Sequence, residues 1–220
     1  MNQSSTLDQS SKTDHVHMPP DHMERLYTSK EPLVSFIHVG RLSSIVREVP
    51  HKGQLDLLDA GCGEGHLLQK LYQSYPGHHY HGLDITEVAL VKAGERCPFA
   101  NFKQADLTRT GFPDEFFDVI VCTEVIEHIY EYATVLKELK RILKKGGHLI
   151  LTFPNEPVWT LCRFFLGRRP VKVPDHVNSF RPETMKAAVG LKLETQRNLP
   201  FGLPFALSLN CVMKFKKEAS

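Results

Sequence analysis

The sequence predicts an α/β fold: a mostly parallel sheet with helices on both faces. Three observations carry that expectation. Strand-like stretches at 55–59, 80–84, 101–105, 117–122 and 148–153 alternate with stretches whose apolar residues recur at helical spacing. After Asp118, the run at 117–122 is continuously apolar, as suits a parallel strand buried on both faces. The run at 55–59 passes at once into Ala60-Gly61-Cys62-Gly63-Glu64-Gly65 and then a helical pattern. Glycines let a backbone bend sharply and approach a ligand, and the helix start adds free N–H donors, so this turn reads as a nucleotide or cofactor cradle.

Composition sets the frame. The chain has 220 residues, 41% of them hydrophobic and 24% charged, which suits one domain with a sizeable core. A formal net charge of +2 argues neither for nor against nucleic acid. No apolar run reaches the roughly 18 residues of a membrane span. Residues 2–14 are polar and lack the apolar core of a signal peptide, so the expected location is the cytoplasm. The five cysteines are scattered, odd in number and without C-x-x-C spacing; they read as reduced, mostly buried thiols.

Taken in order, residues 1–20 are polar and read as a disordered tail, with one domain over 21–220. Within 21–52, Leu33, Phe36, Ile37, Leu42, Ile45, Val46 and Val49 recur at roughly helical spacing between Pro32 and Pro50. One or two helices there are expected to pack on the core and cover the cofactor site. After the first strand, Leu67, Leu68, Leu71 and Tyr72 share a helix face. The loop spacing is G-x-G-x-G, and His66 stands where a dinucleotide fingerprint needs its third glycine. The second strand ends in Asp84, placed to accept hydrogen bonds from ribose hydroxyls. Val88, Leu90 and Val91 belong to the next helix, and the third strand leads to Asp106-Leu107. A further helix carries Tyr132, Val135, Leu136, Leu139, Ile142 and Leu143, and Lys144-Lys145-Gly146-Gly147 reads as its end. Two β-like runs, 191–199 and 206–215, close the chain.

These residues resemble the class I S-adenosylmethionine-dependent methyltransferases. Asp59, Gly61, Gly63 and Gly65 match the D/E-x-G-x-G-x-G loop of that family, and the Leu143–Leu151 stretch resembles its post-helix motif. The resemblance covers 55–155 well and extends more loosely to the C-terminus. It implies a Rossmann-like, seven-stranded sheet whose last strand is antiparallel, and S-adenosyl-L-methionine as cofactor. It implies that Asp84 holds the adenosine ribose, Asp106 the adenine amino group, and that Leu107 packs on the ring. Cys62, Ile85 and Thr123 complete the expected cofactor-binding set. The implied chemistry is in-line displacement at the sulfonium methyl, with O-methylation of a small aromatic, quinone-like or lipid-like acceptor preferred.

Beyond the fourth strand lies Thr123-Glu124-Val125-Ile126-Glu127-His128. On a helical turn, Glu124, Glu127 and His128 share one face. Converging carboxylates and an imidazole suffer from burial and repulsion, which a divalent cation relieves. His176, on the loop after the fifth strand, could return over the same crevice. This E-x-x-E-H element with a later histidine resembles metal-dependent O-methyltransferases of two kinds, one acting on catechol intermediates of ubiquinone biosynthesis and one on the 3′ end of small RNAs. The expected metal set is Glu124, Glu127, His128 and His176, holding magnesium, manganese or zinc. Two other readings stay open: a metal-free site with His128 or His176 as the base, and a structural role.

The segment 156–180 occupies the place of a substrate lid. It carries Trp159, Leu161, Phe164, Phe165 and Leu166 beside Arg163, Arg168 and Arg169. Such a lid suits an aromatic or lipid-like acceptor or a membrane surface, and equally a helix packed on the domain with solvated arginines. Two rival functions remain. One is an RNA 2′-O-methyltransferase, for which Arg163, Arg168, Arg169, Lys172, Lys214, Lys216 and Lys217 offer thin phosphate contacts. The other is a non-catalytic cofactor-binding module, which the intact loop and acids disfavour.

Overall fold

Strands alternate with helices along the chain. The computed structural model describes residues 32–167 and 176–219, without the side chains of 32–36. The expected tail and part of the expected lid, 168–175, lie outside the described residues. The described elements are α1 (Pro32–Glu48), β1 (Asp56–Ala60), α2 (His66–Ser74), β2 (His79–Asp84), α3 (Glu87–Arg96), β3 (Asn101–Gln104) and β4 (Phe117–Thr123). They continue with α4 (Tyr132–Ile142), β5 (Leu143–Pro154), α5 (Glu156–Phe165), α6 (Pro182–Val189), β6 (Lys192–Leu199) and β7 (Asn210–Lys216). Short 3₁₀ turns lie at Ile126–His128 and Phe205–Leu207.

The seven strands form one sheet in the order β3-β2-β1-β4-β5-β7-β6. Strands β1 to β5 pair in parallel, and β7 runs antiparallel to both of its neighbours, as the resemblance implies. Neighbouring strand residues turn to opposite faces, which divides the core in two. Leu58, Ile120 and Leu149 pack with Val135, Leu136 and Leu139 of α4 and with Met185 and Val189 of α6. Leu57, Val119 and Ile150 pack with Ile45 and Val46 of α1, with Val49 just after it, and with Leu67, Leu68 and Leu71 of α2. The apolar runs are continuous because both faces are covered. All five cysteines are free, and all but Cys162 are buried.

Helix α1 is fastened as well as packed. Glu48 at its end is buried and accepts hydrogen bonds from Thr195 (2.7 Å) and Arg197 of β6. Burial alone would raise the Glu48 carboxyl, but the bonds from Arg197 and Thr195 hold it below its ordinary value.

The structure differs from the expected elements in three places. Lys144-Lys145-Gly146-Gly147 does not end a helix. Strand β5 already starts at Leu143, which pairs with Phe117, and the register shifts before Val119 pairs with His148. The glycines serve this irregular start: Gly146 has φ of +77°, and a Cβ on Gly147 would lie 2.8 Å from the Lys144 carbonyl and 2.9 Å from that of Asp118. Lys144 is also drawn sideways, its Nζ lying 2.8 Å from Asp118 and 3.1 Å from Asp56. Helix α6 was not expected, although Pro182 begins it and the Thr184 hydroxyl accepts the Arg181 N–H at 3.1 Å. Finally, Tyr72, expected on one face with Leu67, Leu68 and Leu71, is exposed and stacks on Phe99; Val88 and Val91 lie in α3 as expected, facing outward while the helix buries Ala89 and Ala93.

The close approach at Gly147 makes a prediction. Gly147→Ala should destabilise the fold by about 1–3 kcal/mol, because neither carbonyl is the end of a flexible side chain. Urea unfolding measures it; an unchanged midpoint would contradict the strand start described here.

Candidate cofactor and acceptor site

The strand order reverses between β1 and β4, and a crevice of an open α/β sheet lies beyond the carboxyl ends of such strands. The loop after β1 forms its floor. Gly61 and Cys62 both donate their N–H groups to the Leu83 carbonyl, at 2.7 and 2.9 Å. Gly63 donates to Asp84 Oδ2 at 2.8 Å, and Thr86 to Asp84 Oδ1 at 2.9 Å. The loop is thereby fastened to the end of β2, and the Asp84 carboxylate is held in one orientation with acceptor capacity to spare. Gly61 and Gly65 have φ of +82° and +79°. A Cβ on Gly61 would lie 2.5 Å from a Val125 methyl. The first glycine therefore serves both handedness and space.

Asp59 is buried beside this loop, and burial followed by the charge of Asp84 pushes its carboxyl up to about 8. A pocket above the loop is lined by Asp59, Gly61, Cys62, His66 and Thr123, and by Leu42 of α1. Leu42 is the residue of α1 that reaches this pocket. Burial, and then Asp59 and Asp84, raise the Cys62 thiol well above its usual range. Leu107 is buried, Ile85 is exposed, and Asp106 Oδ1 accepts the backbone N–H and hydroxyl of Thr108, both at 2.7 Å. The expected cofactor residues thus stand at or just after the ends of β1, β2, β3 and β4.

Sequence reasoning missed Glu64. It is buried in the glycine loop, accepts Lys92 Nζ at 2.8 Å and lies 3.4 Å from His66 Nε2. Its backbone carbonyl takes a bond from Arg96. An acid between two loop glycines was the available signal; its role here is to tie the loop to α3.

The acid-histidine segment differs from the expected helical turn. Only Ile126–His128 is helical, and Glu124 precedes it with φ of +54°. Its side chain turns away to a polar cluster: Arg41 at 2.9 Å, Thr152 at 2.9 Å and Asn210 at 2.9 Å. The structure therefore does not place Glu124 with the other three expected ligands, because a buried arginine on α1 claims it.

It does bring those three together. Among the described residues, Glu127, His128 and His176 have ligand atoms that all lie within 4.8 Å of one another. The two imidazoles meet edge to face, with centroids 4.6 Å apart. The backbone explains why: the Glu127 carbonyl accepts the N–H groups of Val177 (2.9 Å) and Asn178 (3.0 Å), and Asn178 Nδ2 donates to the Ile129 carbonyl at 2.7 Å. His176 Nδ1 pairs with Glu156, the buried first residue of α5. Both Glu127 carboxylate oxygens are buried without a hydrogen-bond partner. Burial, and then the nearby Glu124 charge, raises its carboxyl well above the usual range.

With this geometry in hand, likeness to other proteins becomes informative. Residues 58–151 match the methyltransferase domain family. A Mycobacterium tuberculosis protein named a probable S-adenosylmethionine-dependent methyltransferase is 32% identical over 109 residues, covering 50% of this chain and 39% of that one. A trans-aconitate 2-methyltransferase of Methylobacterium nodulans is 30% identical over 131 residues, covering 58% of this chain and 50% of the relative. The chain therefore spans at most about half the length of these curated relatives. The N-methyltransferase NodS of Bradyrhizobium japonicum, solved with S-adenosyl-L-homocysteine, superposes with a TM-score of 0.65 at 19% identity, over 90% of this chain and 97% of that one. A Pyrococcus horikoshii protein superposes with a TM-score of 0.67 at 19% identity, over 90% and 98%. The matched domain, the glycine loop tied to Asp84 and the sheet with its antiparallel β7 agree: residues 58–151 of this chain are a methyltransferase domain, and the sheet has the fold of class I S-adenosylmethionine-dependent methyltransferases.

Proposed function

We propose that this protein binds S-adenosyl-L-methionine at the carboxyl edge of its sheet and transfers the methyl group to a small-molecule acceptor. The observation that carries this reading is the glycine loop fastened to Asp84 above the buried, proton-retaining Asp59. The residues fit the cofactor. Gly61 lets the loop pass close against Val125, Asp84 has lone pairs for ribose hydroxyls, and a cationic ligand would stabilise the charged form of Asp59. Asp106 would take the adenine amino group, while Ile85 and Leu107 offer apolar contact to its ring. Thr123 and Cys62 complete the pocket wall. The bound cofactor supplies an electrophilic methyl; the chain's own task is to hold it still and present the acceptor.

A small acceptor suits the site better than RNA. Lys216 pairs across from His148, and Lys217 donates to the Lys140 and Leu143 carbonyls, so both lie at the sheet edge opposite the crevice. The trans-aconitate 2-methyltransferase relative acts, by its name, on a small acceptor, which supports the same choice. A module without catalysis would bind the cofactor but turn over no acceptor.

Calorimetry tests the cofactor reading. S-adenosyl-L-homocysteine should bind, NAD should bind far more weakly, and Asp84→Ala should weaken binding by about tenfold or more while the fold survives. Preferential NAD binding, or a folded Asp84→Ala protein with unchanged affinity, would contradict it.

A second reading concerns a divalent cation, and the orphaned oxygens of Glu127 favour it. Glu127, His128 and His176 would ligate, and Glu156 would orient His176. Glu124 would stay with Arg41 as the electrostatic neighbour of Glu127. Such a cation would lower the pKa of an acceptor hydroxyl. Manganese titration followed by electron paramagnetic resonance should show one site, lost in His176→Ala with S-adenosyl-L-homocysteine affinity kept. Absence of manganese binding would leave His128 as the leading candidate base.

A further inference from the structure

Glu124 stands in an uncommon backbone conformation. Its φ of +54° lies in the left-handed region, where a residue with a long side chain is disfavoured. Among the described residues only Glu115 and Phe201 share a positive φ without being glycine, and both are exposed. The Glu124 side chain is only 17% exposed. Such a conformation persists where the surroundings over-determine it. Arg41 supplies the strongest of the restraints. Its guanidinium is buried, and Nη1 lies 2.9 Å from Glu124 Oε2. The other donors, Thr152 Oγ1 and Asn210 Nδ2, are neutral and make weaker bonds than a charged pair.

The place of Glu124 in the chain gives its conformation consequences. Thr123, just before it, lines the cofactor pocket. Val125, just after it, carries the methyl that a Cβ on Gly61 would approach to 2.5 Å. Glu127 and His128 follow in the short 3₁₀ turn, with ligand atoms within 4.8 Å of those of His176. On α1, Arg41 is the chain neighbour of Leu42, which lines the same pocket as Thr123. A change of φ at Glu124 would therefore swing the pocket wall and the packing on the glycine loop relative to Glu127 and His128.

We propose that Arg41 is a positioning residue: by holding Glu124 in the left-handed conformation, it sets Thr123 and Val125 at the cofactor loop and keeps Glu127 and His128 beside His176. Its effect on the cofactor rests on the cofactor reading of the pocket; its effect on the backbone does not.

The test separates backbone conformation from charge. Arg41→Met removes the ion pair. The amide resonances of Gly61, Glu127 and His128 should move, and S-adenosyl-L-homocysteine should bind about tenfold more weakly. Glycine adopts a positive φ without help. Arg41→Met/Glu124→Gly should therefore bring those amides and most of the affinity back toward the values of the unsubstituted protein. Arg41→Met/Glu124→Gln also removes the carboxylate charge but keeps a Cβ, and it should recover neither. Equal recovery in both double variants would mean that Arg41 only neutralises a buried charge, and would overturn the proposal. Recovery in neither, or unmoved amides in a folded Arg41→Met protein, would overturn it as well. Should Arg41→Met alone fail to fold, the melting midpoints of the two double variants by circular dichroism make the same decision: the glycine variant should be the more stable, and equal midpoints would contradict the proposal. An unsubstituted protein that does not bind S-adenosyl-L-homocysteine would contradict the cofactor reading instead, and the amide comparison would still decide the role of Arg41.

Discussion

The carbonyl of Leu83 accepts two consecutive N–H groups from the loop after β1, and the organisation of the site follows from that bond pair. It pins Gly61 and Cys62 to the end of β2, places Gly63 on the Asp84 carboxylate and forces the positive φ that glycine tolerates. The loop then passes so near Val125 that no side chain fits at Gly61. One local constraint therefore joins three strand ends: β1 through the loop, β2 through Leu83 and Asp84, and β4 through the segment holding Val125.

The second organising contact reaches the same crevice from α1. Arg41 is buried and holds Glu124, which also accepts bonds from Thr152 of β5 and Asn210 of β7. This polar knot holds Glu124 apart from the Glu127–His128–His176 group. It also explains their different electrostatics: Glu124 has a cation and two donors, whereas Glu127 has neither orphan oxygen satisfied and sits near the Glu124 charge. Two carboxylates three residues apart thus have unlike environments, with one tied into the scaffold and one buried without a partner.

Much of this was legible in the sequence because it depends on local patterns. Buried parallel strands leave continuous apolar runs, and a tight turn leaves glycines, so the sheet and the glycine loop could be read directly, while the roles expected of Asp84 and Asp106 lean on the family resemblance. What escaped depends on the backbone or on distant partners. Helical spacing placed Glu124 with Glu127 and His128, but the left-handed residue at Glu124 and the pull of Arg41, far away in the chain, separate them. Gly146 and Gly147 follow a basic pair like a helix end, yet the need to clear the Asp118 carbonyl makes them part of β5. The lid segment was read as amphipathic, and the structure leaves the apolar residues of α5 largely uncovered, a result no spacing rule could supply.

Amide-resolved NMR during titration with S-adenosyl-L-homocysteine tests the central claim most directly. The largest shifts should fall on the loop from Asp59 to Gly65, on Asp84 to Thr86 and on Asp106 to Thr108, while His79 and Lys144 at the opposite sheet edge stay unmoved. Shifts centred on that opposite edge, or an unmoved glycine loop at saturating ligand, would contradict the account.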